Sequence, residues 1–155
     1  MFKEMRRKEK RMPEAAAIEV LTKAEVGTLA SICENGYPYA VPLNFAYENG
    51  VIYFHSAHTG QKIENIQNNA KVSFSAVSYA HLLPDKFDTE YDSTVLFGTA
   101  VEVTDEMEKR QALMSLIKKY SDGYFEKGMA YINKSMHTAA VYKIEIEHMT
   151  GKKGR

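Results

Sequence analysis

Residues 55–62 carry the side chains of this sequence that are best suited to binding an anion. The stretch reads His-Ser-Ala-His-Thr-Gly-Gln-Lys, so it combines imidazole, hydroxyl and ammonium groups with a glycine. A phosphate group needs cations, hydroxyls and backbone N–H donors that converge within a few ångströms. We therefore predict a phosphate-binding turn, whose donors come from His55, Ser56, Thr59, the amides around Gly60, and Lys62.

Two of these residues also have ordinary structural explanations. His55 follows an apolar run and could be a core histidine bonded to a backbone carbonyl. Lys62 could be a solvent-exposed lysine of a helix. The residue types alone leave these explanations open.

Other kinds of chemistry find less support. His55-x-x-His58 has a spacing that suits a metal, but a third ligand would have to come from Cys33, His81 or His137, and we predict no metal site. The sequence contains no Gly-x-Ser-x-Gly, no Gly-x-Gly-x-x-Gly and no Gly-x-x-x-x-Gly-Lys-Ser/Thr. No acid–base pair stands out, so the catalytic residues stay unknown.

The composition indicates one compact domain with a small-molecule partner. The chain has 155 residues, of which 45% are hydrophobic. Twenty basic and twenty acidic residues give a formal net charge of zero, so we expect neither nucleic acid nor a membrane as a partner. The single cysteine, Cys33, and the lack of a membrane-spanning apolar run favour a cytoplasmic protein. Residues 1–12 form a basic arm, which we expect to be solvated and frayed or to touch a ligand phosphate.

The candidate turn lies between a predicted strand and a predicted helix. Residues 51–56 are mostly β-branched or aromatic, as in strands, and residues 60–68 show helical spacing. Thr59 or Ser56 is expected to cap the helix. Asn-Gly turns at 35–36 and 49–50 predict a β-meander, with strands at 27–33, 37–47 and 51–56. In its middle strand, Pro38 and Pro42 indicate an edge or a bulge.

The rest of the chain alternates between strand and helix patterns. We predict a long loop at 78–92 and a strand at 95–103 whose first half is buried on both faces. Thr104 or Asp105 is expected to cap a helix, with Glu108 completing a capping box after Asp105. The other predicted elements are a helix at 13–24, a strand at 71–77, a helical segment at 124–133 and a strand at 140–147. Six antiparallel strands with inserted helices favour a small closed or split barrel.

Three motifs in one order are more specific than any of them alone. They are Gly36-Tyr-Pro-Tyr-Ala-Val-Pro-Leu-Asn-Phe45, then Tyr53-Phe-His-Ser-Ala57 with Gly60-x-Lys62, and finally Thr150-Gly-Lys152. Together they resemble the pyridoxamine 5'-phosphate oxidase-like flavoproteins, in the branch related to 5-nitroimidazole resistance proteins. The resemblance implies a six-stranded antiparallel split β-barrel that forms a homodimer with FMN at the subunit interface.

The resemblance also implies roles for particular residues. Pro42, Leu43, Asn44 and Phe45 match the strand that borders the isoalloxazine ring and offers it backbone donors and acceptors. The phosphate turn is matched by His55, Ser56, Ala57, Thr59, Gly60 and Lys62. Ser93 and Thr94 begin a segment that lies near the flavin or the subunit seam. Gln61 is a departure, because the residue before the lysine is often basic in this family.

The function that the resemblance implies is an FMN-dependent oxidoreductase. It would take electrons from NAD(P)H and pass them to a small planar acceptor such as a nitroaromatic, while the flavin carries the redox chemistry. Two alternatives remain: a non-catalytic flavin or haem binder, with His55, His58 or His137 as an iron ligand, and a regulatory module whose pocket is vestigial.

Overall fold

The computed structural model describes residues 1–154, which form seven strands, four α-helices and three short 3-10 turns. The strands are β1 Gly27–Ile32, β2 Pro38–Leu43, β3 Ala46–Glu48, β4 Val51–Ser56, β5 Lys71–Leu83, β6 Asp88–Glu102 and β7 Ala140–Lys153. The helices are α1 Glu14–Lys23, α2 Gln61–Asn68, α3 Glu106–Tyr120 and α4 Phe125–Ser135. None of these helices has the length and apolar character required to cross a bilayer.

The strands form one antiparallel sheet in the order β2-β1-β5-β6-β7-β4-β3. Its two edge strands, β2 and β3, are consecutive in the chain and are separated only by Asn44 and Phe45. Three residue steps span at most about 11 Å, so these edges must approach each other. The sheet therefore curls into a split barrel that has seven strands, not the six expected.

The extra strand comes from the predicted strand at 37–47, which is wrong as a single element. The chain leaves the sheet at Asn44 and Phe45 and re-enters it at the opposite edge. Both predicted Asn-Gly hairpins are present, since β1 pairs with β2 and β3 pairs with β4. The edge position expected from Pro38 and Pro42 is confirmed, because β2 pairs only with β1.

The predicted loop at 78–92 is also wrong. These residues form the outer part of a long hairpin, in which β5 and β6 stay paired as far as Leu83 and Asp88. The register shifts between Val77 and Tyr79, which is a β-bulge. A bulge moves the apolar alternation by one residue, so a strict period of two fails there although the strand continues.

Strand β6 is buried on one face, not on both as predicted. Thr94, Leu96, Gly98 and Ala100 face the interior, as the buried positions of the strand. On the other face, Val95 is 41% exposed and Phe97 is 39% exposed. This outward face continues onto β5 at the exposed Val77, and Phe2 of the N-terminal segment stacks on it at Phe97.

Two apolar clusters hold the fold together. The larger one fills the barrel and receives Val20 and Leu21 of α1, and the smaller one lies beneath α3 and α4. Asp105 caps α3 as expected, by accepting a hydrogen bond from the Glu108 amide at 2.9 Å. The capping box is incomplete, because the Glu108 carboxylate instead binds Tyr53 and Lys143.

The N-terminal arm packs onto the barrel. The Met12 amide donates to the Gly151 carbonyl at 2.9 Å, and the backbone of Arg11 forms an antiparallel β-bridge with that of Lys152 in β7. Phe2 stacks on Phe97 and His148, with ring centroids 5.1 and 4.9 Å apart. The expectation of a frayed arm therefore does not describe this structure.

Candidate functional site

The candidate turn connects the end of β4 to the start of α2. Gly60 occupies the N-cap position of α2 with φ +132° and ψ 171°, a backbone conformation that is essentially restricted to glycine. No heavy atom lies within 4 Å of the place where a Cβ would stand on Gly60. The first turn of α2 is therefore reached through open space.

The N-terminus of α2 has no side-chain cap from the described residues. The expectation that Thr59 or Ser56 caps this helix is wrong, because glycine takes the N-cap position and the two hydroxyl residues lie further upstream. The N–H groups of the first turn consequently keep their capacity to bind an anion, and the positive end of the helix dipole favours one.

Ser56 has a buried hydroxyl without a partner. Its Oγ is shielded from solvent and makes no hydrogen bond within residues 1–154. Ser56 lies opposite Ala140, on the face of β4 that also carries the buried Phe54. An unpaired buried hydroxyl costs about 1–3 kcal/mol, so a ligand oxygen is the kind of partner this atom lacks.

Lys62 is the cation at this corner. It lies half-buried in the first turn of α2, and no hydrogen bond or ion pair involves it in the part of the chain that the structure describes. Its neighbour Gln61 donates to Asn65 Oδ1 at 2.7 Å. Asn65 is buried and donates in turn to Ser31 Oγ, which ties α2 to β1.

The two histidines of the stretch do not converge with Ser56. Neighbouring residues of a strand point to opposite faces, and His55 is exposed while the Ser56 hydroxyl is buried. His58 lies with Nε2 2.6 Å from the Thr138 carbonyl oxygen, which ties the turn to the segment before β7. Ala57 and Thr59 are exposed in the same turn.

Residues 42–45, which the resemblance predicts to border a flavin, differ in their exposure to solvent. Pro42 and Asn44 are exposed and Leu43 is half-buried. Phe45 is fully buried, and its ring meets Phe74 edge-on at 4.8 Å. The Phe45 amide donates to the Tyr120 hydroxyl and the Phe45 carbonyl accepts from Lys119, so the backbone groups of Phe45 are occupied.

Lys119 and Tyr120 of α3 are residues that the sequence did not assign to this region. Lys119 Nζ donates to the Phe45 carbonyl at 3.0 Å and to the Leu21 carbonyl at 3.1 Å. Burial lowers the pKa of Lys119 to about 8, against an opposing effect of Glu25. The sequence signal that could have indicated this burial is spacing, because Lys119 lies at helical spacing from Ala112 and Leu116, on the buried side of α3.

Ser93 and Thr94 lie on opposite faces of β6. Thr94 is fully buried, and its hydroxyl donates to the Ala17 carbonyl at 2.8 Å, which holds α1 against the sheet. Ser93 is half-buried on the outward face, beside Val77 and Lys152. Strand β7 joins Ala140, beside Ser56, to Lys152, beside Ser93, over about 40 Å of extended chain. One protomer therefore does not bring Ser93 to the turn.

Metal binding finds no support in the side chains that the structure describes. No group of three or more His, Cys, Asp or Glu residues among them could hold a metal ion.

Comparison with solved structures identifies similar folds in several bacteria. A candidate 5-nitroimidazole antibiotic resistance protein from Bacteroides thetaiotaomicron is 27% identical, with a TM-score of 0.79, over 92% of this chain and 86% of that one. An FAD-binding protein from Mesorhizobium loti is 26% identical, with a TM-score of 0.71, over 94% and 98%. The FAD and haem binding protein from Mycobacterium smegmatis is 18% identical, with a TM-score of 0.78, over 93% and 72%, which shows the fold alone.

No functionally curated protein matches the sequence. The family model of pyridoxamine 5'-phosphate oxidase matches residues 13–153, which is nearly the whole chain. The chain belongs to the pyridoxamine 5'-phosphate oxidase family, on the split-barrel fold that its flavin-binding relatives share.

Proposed function

We propose that this protein is an FMN-dependent oxidoreductase whose flavin phosphate binds at the turn between β4 and α2. The observation that carries the proposal is the combination of donors there: uncapped amides of α2, the unpaired Lys62 and the unpartnered Ser56 hydroxyl. A phosphate monoester dianion would satisfy all three, since each is a donor and the helix dipole adds favourable charge.

The residues present fit the rest of the flavin as well. Pro42 and Leu43 end edge strand β2, whose outer backbone groups are not all committed to the sheet, and Asn44 begins the link that follows. When bound, a flavin supplies the electron transfer from a reduced nicotinamide to a small planar acceptor such as a nitroaromatic. The protein's own part is to orient the ring, exclude water and hold the phosphate.

We further propose a homodimer with the flavin at the subunit interface. The outward face of β5 and β6 exposes Val77, Val95, Phe97 and Leu82 along one ribbon. Exposed apolar stretches of this kind mark interaction surfaces. Ser93 lies on the same face and is remote from Lys62 within one chain, so only a partner subunit would carry Ser93 to a flavin held at Lys62.

We place this activity in the cytoplasm, as the single cysteine suggests. The family relatives bind FAD or FAD and haem by description, so FMN, FAD and haem are compared directly in the experiment. We prefer FMN to FAD because the site has one turn that could bind a phosphate, and FMN carries one phosphate.

The test is flavin binding by purified protein, with Lys62→Ala as the informative variant and Lys127→Ala, an exposed helical lysine, as its control. Fluorescence quenching should show FMN binding by the wild type and the control. Lys62→Ala should bind about 10- to 100-fold more weakly, the value of one charge-assisted contact, while its melting temperature changes little.

Three results would contradict parts of the proposal. A wild type that binds neither FMN nor FAD would remove the flavin site. Equal losses of binding and of melting temperature in Lys62→Ala would make Lys62 a structural residue. Bound FMN that NAD(P)H does not bleach in the absence of oxygen would reduce the function to flavin binding.

A further inference from the structure

The last turn of α3 holds the two-residue link between β2 and β3. Lys119 Nζ donates to the carbonyl of Phe45, and the Tyr120 hydroxyl accepts the Phe45 amide at 3.0 Å. Both backbone groups of Phe45 are therefore bound by side chains of neighbouring residues on one helix, not by another strand. The link is fixed by α3, although it connects two strands of the sheet.

A second set of bonds attaches the same link to the segment between α1 and β1. The Tyr120 hydroxyl donates to the Glu25 carbonyl at 2.7 Å, and Asn44 Nδ2 donates to the same carbonyl at 3.0 Å. Lys119 reaches α1 through the Leu21 carbonyl. Asn44 and Phe45 are thus held from two directions, and their position cannot shift without breaking several of these bonds.

Lys119 is costly to keep at this position. Its ammonium lies 3.7 Å from the centroid of the Phe45 ring, and no carboxylate oxygen lies within 4.0 Å of it in residues 1–154. Burial makes the charged form unfavourable, and an apolar side chain of similar length would remove that cost but would leave the Leu21 and Phe45 carbonyls without this donor. Lys119 therefore holds the link although its charge is partly desolvated.

We propose that Lys119 and Tyr120 are positioning residues for the flavin, because they fix the link that follows Pro42 and Leu43, which together with Asn44 face the ring. This inference rests on the proposed function for the identity of the ligand. Neither side chain needs to touch the flavin: they act through the backbone of Asn44 and Phe45. A ring-bordering segment that is held in place before binding loses less entropy when the flavin arrives.

The test compares Lys119→Met with Lys118→Met, which removes the exposed lysine next to it, and adds Tyr120→Phe. In protein without flavin, amide hydrogen exchange across residues 43–46 should become faster in Lys119→Met and Tyr120→Phe than in Lys118→Met. With flavin, the FMN dissociation constant of Lys119→Met should rise about tenfold, and its visible circular dichroism at saturating FMN should change. Its melting temperature without flavin should change little, because relief of the buried charge offsets the two lost hydrogen bonds.

Each outcome decides one part of the inference. Unchanged hydrogen exchange in Lys119→Met would show that this lysine does not fix the link, whatever the ligand is. Faster exchange with unchanged FMN affinity and circular dichroism would show that the link does not position the ring. Failure of the wild type to bind flavin would overturn the proposed function, while the hydrogen-exchange result would still report on the link.

Discussion

Lys62 and Lys119 show how differently this fold uses two lysines. Lys62 lies at the uncapped N-terminus of α2 and has no ion-pair partner in the described chain. Such a cation is available to bind an anionic ligand. Lys119 is directed inward onto two carbonyls and an aromatic face. The sequence predicts a role for Lys62 through its motif, whereas Lys119 looks like any other lysine of an amphipathic helix until the fold buries it.

The pH dependence of stability should report the burial of Lys119. Its pKa is about 8 in the folded protein, below the ordinary lysine value of about 10.4 in an unfolded chain. Between these values the unfolded state binds more protons, so the free energy of unfolding should rise with pH. Relative to Lys119→Met, the wild type should therefore gain stability from pH 7.5 to pH 10 in urea denaturation.

Lys118→Met controls for the change in net charge in that experiment. The difference in free energy of unfolding between Lys118→Met and the wild type should stay nearly constant over the same pH range, because Lys118 is exposed. A wild type that loses stability relative to Lys119→Met above pH 8 would contradict the burial of this ammonium.

At the scale of elements, the turn between β4 and α2 depends on the backbone of Gly60. A φ of +132° with ψ of 171° is strained for any residue with a side chain, even though the space beside Gly60 is empty. The geometry of the turn, and not packing, therefore requires the glycine there.

Gly60→Ala should destabilise the protein by about 1–3 kcal/mol and weaken FMN binding, because the turn must change its backbone to accept a Cβ. Gly123→Ala is the matched control: nothing lies within 4 Å of its Cβ position, and its φ is not positive. Urea denaturation should show little change, or a small gain, for Gly123→Ala. Equal stability of both variants would contradict the turn geometry.

The elements also show what the sequence could and could not predict. Local signals succeeded where one residue determines the outcome, as with Asp105 at the start of α3 and the two Asn-Gly hairpins. They failed where long-range pairing decides, because Asn44 and Phe45 look like strand residues and only the pairing of β2 and β3 at opposite edges of the sheet makes them a link. The prediction of a loop at 78–92 failed for a similar reason. The bulge near Ser78 interrupts the period of two in the sequence, although the strand stays paired.

At the scale of the whole molecule, the outward face of the sheet is the feature that one chain does not explain. Val77, Val95 and Phe97 are exposed on the paired strands β5 and β6, where polar residues would be expected in a monomer. The sequence predicted that the β6 part of this face, at Val95 and Phe97, is buried. Apolar residues at such positions are what a homodimer interface would produce, because the core of such an interface is more apolar than the rest of the surface.

Val95→Glu should dissociate the proposed dimer, because it places a charge at the centre of that face. Tyr131→Glu, which changes an exposed aromatic residue on α4, should leave the assembly unchanged. Sedimentation velocity should show a dimer for the wild type and for Tyr131→Glu, and a monomer with weaker FMN binding for Val95→Glu. A monomeric wild type would contradict the proposed assembly.

The recognition of the flavin phosphate by Lys62 is tested most directly by a comparison of FMN with riboflavin, which lacks the phosphate, in wild type and Lys62→Ala. If the phosphate binds at the turn, the wild type should prefer FMN by at least about tenfold in calorimetric titration, and Lys62→Ala should lose most of that preference. An FMN preference that is the same in both proteins would contradict the account.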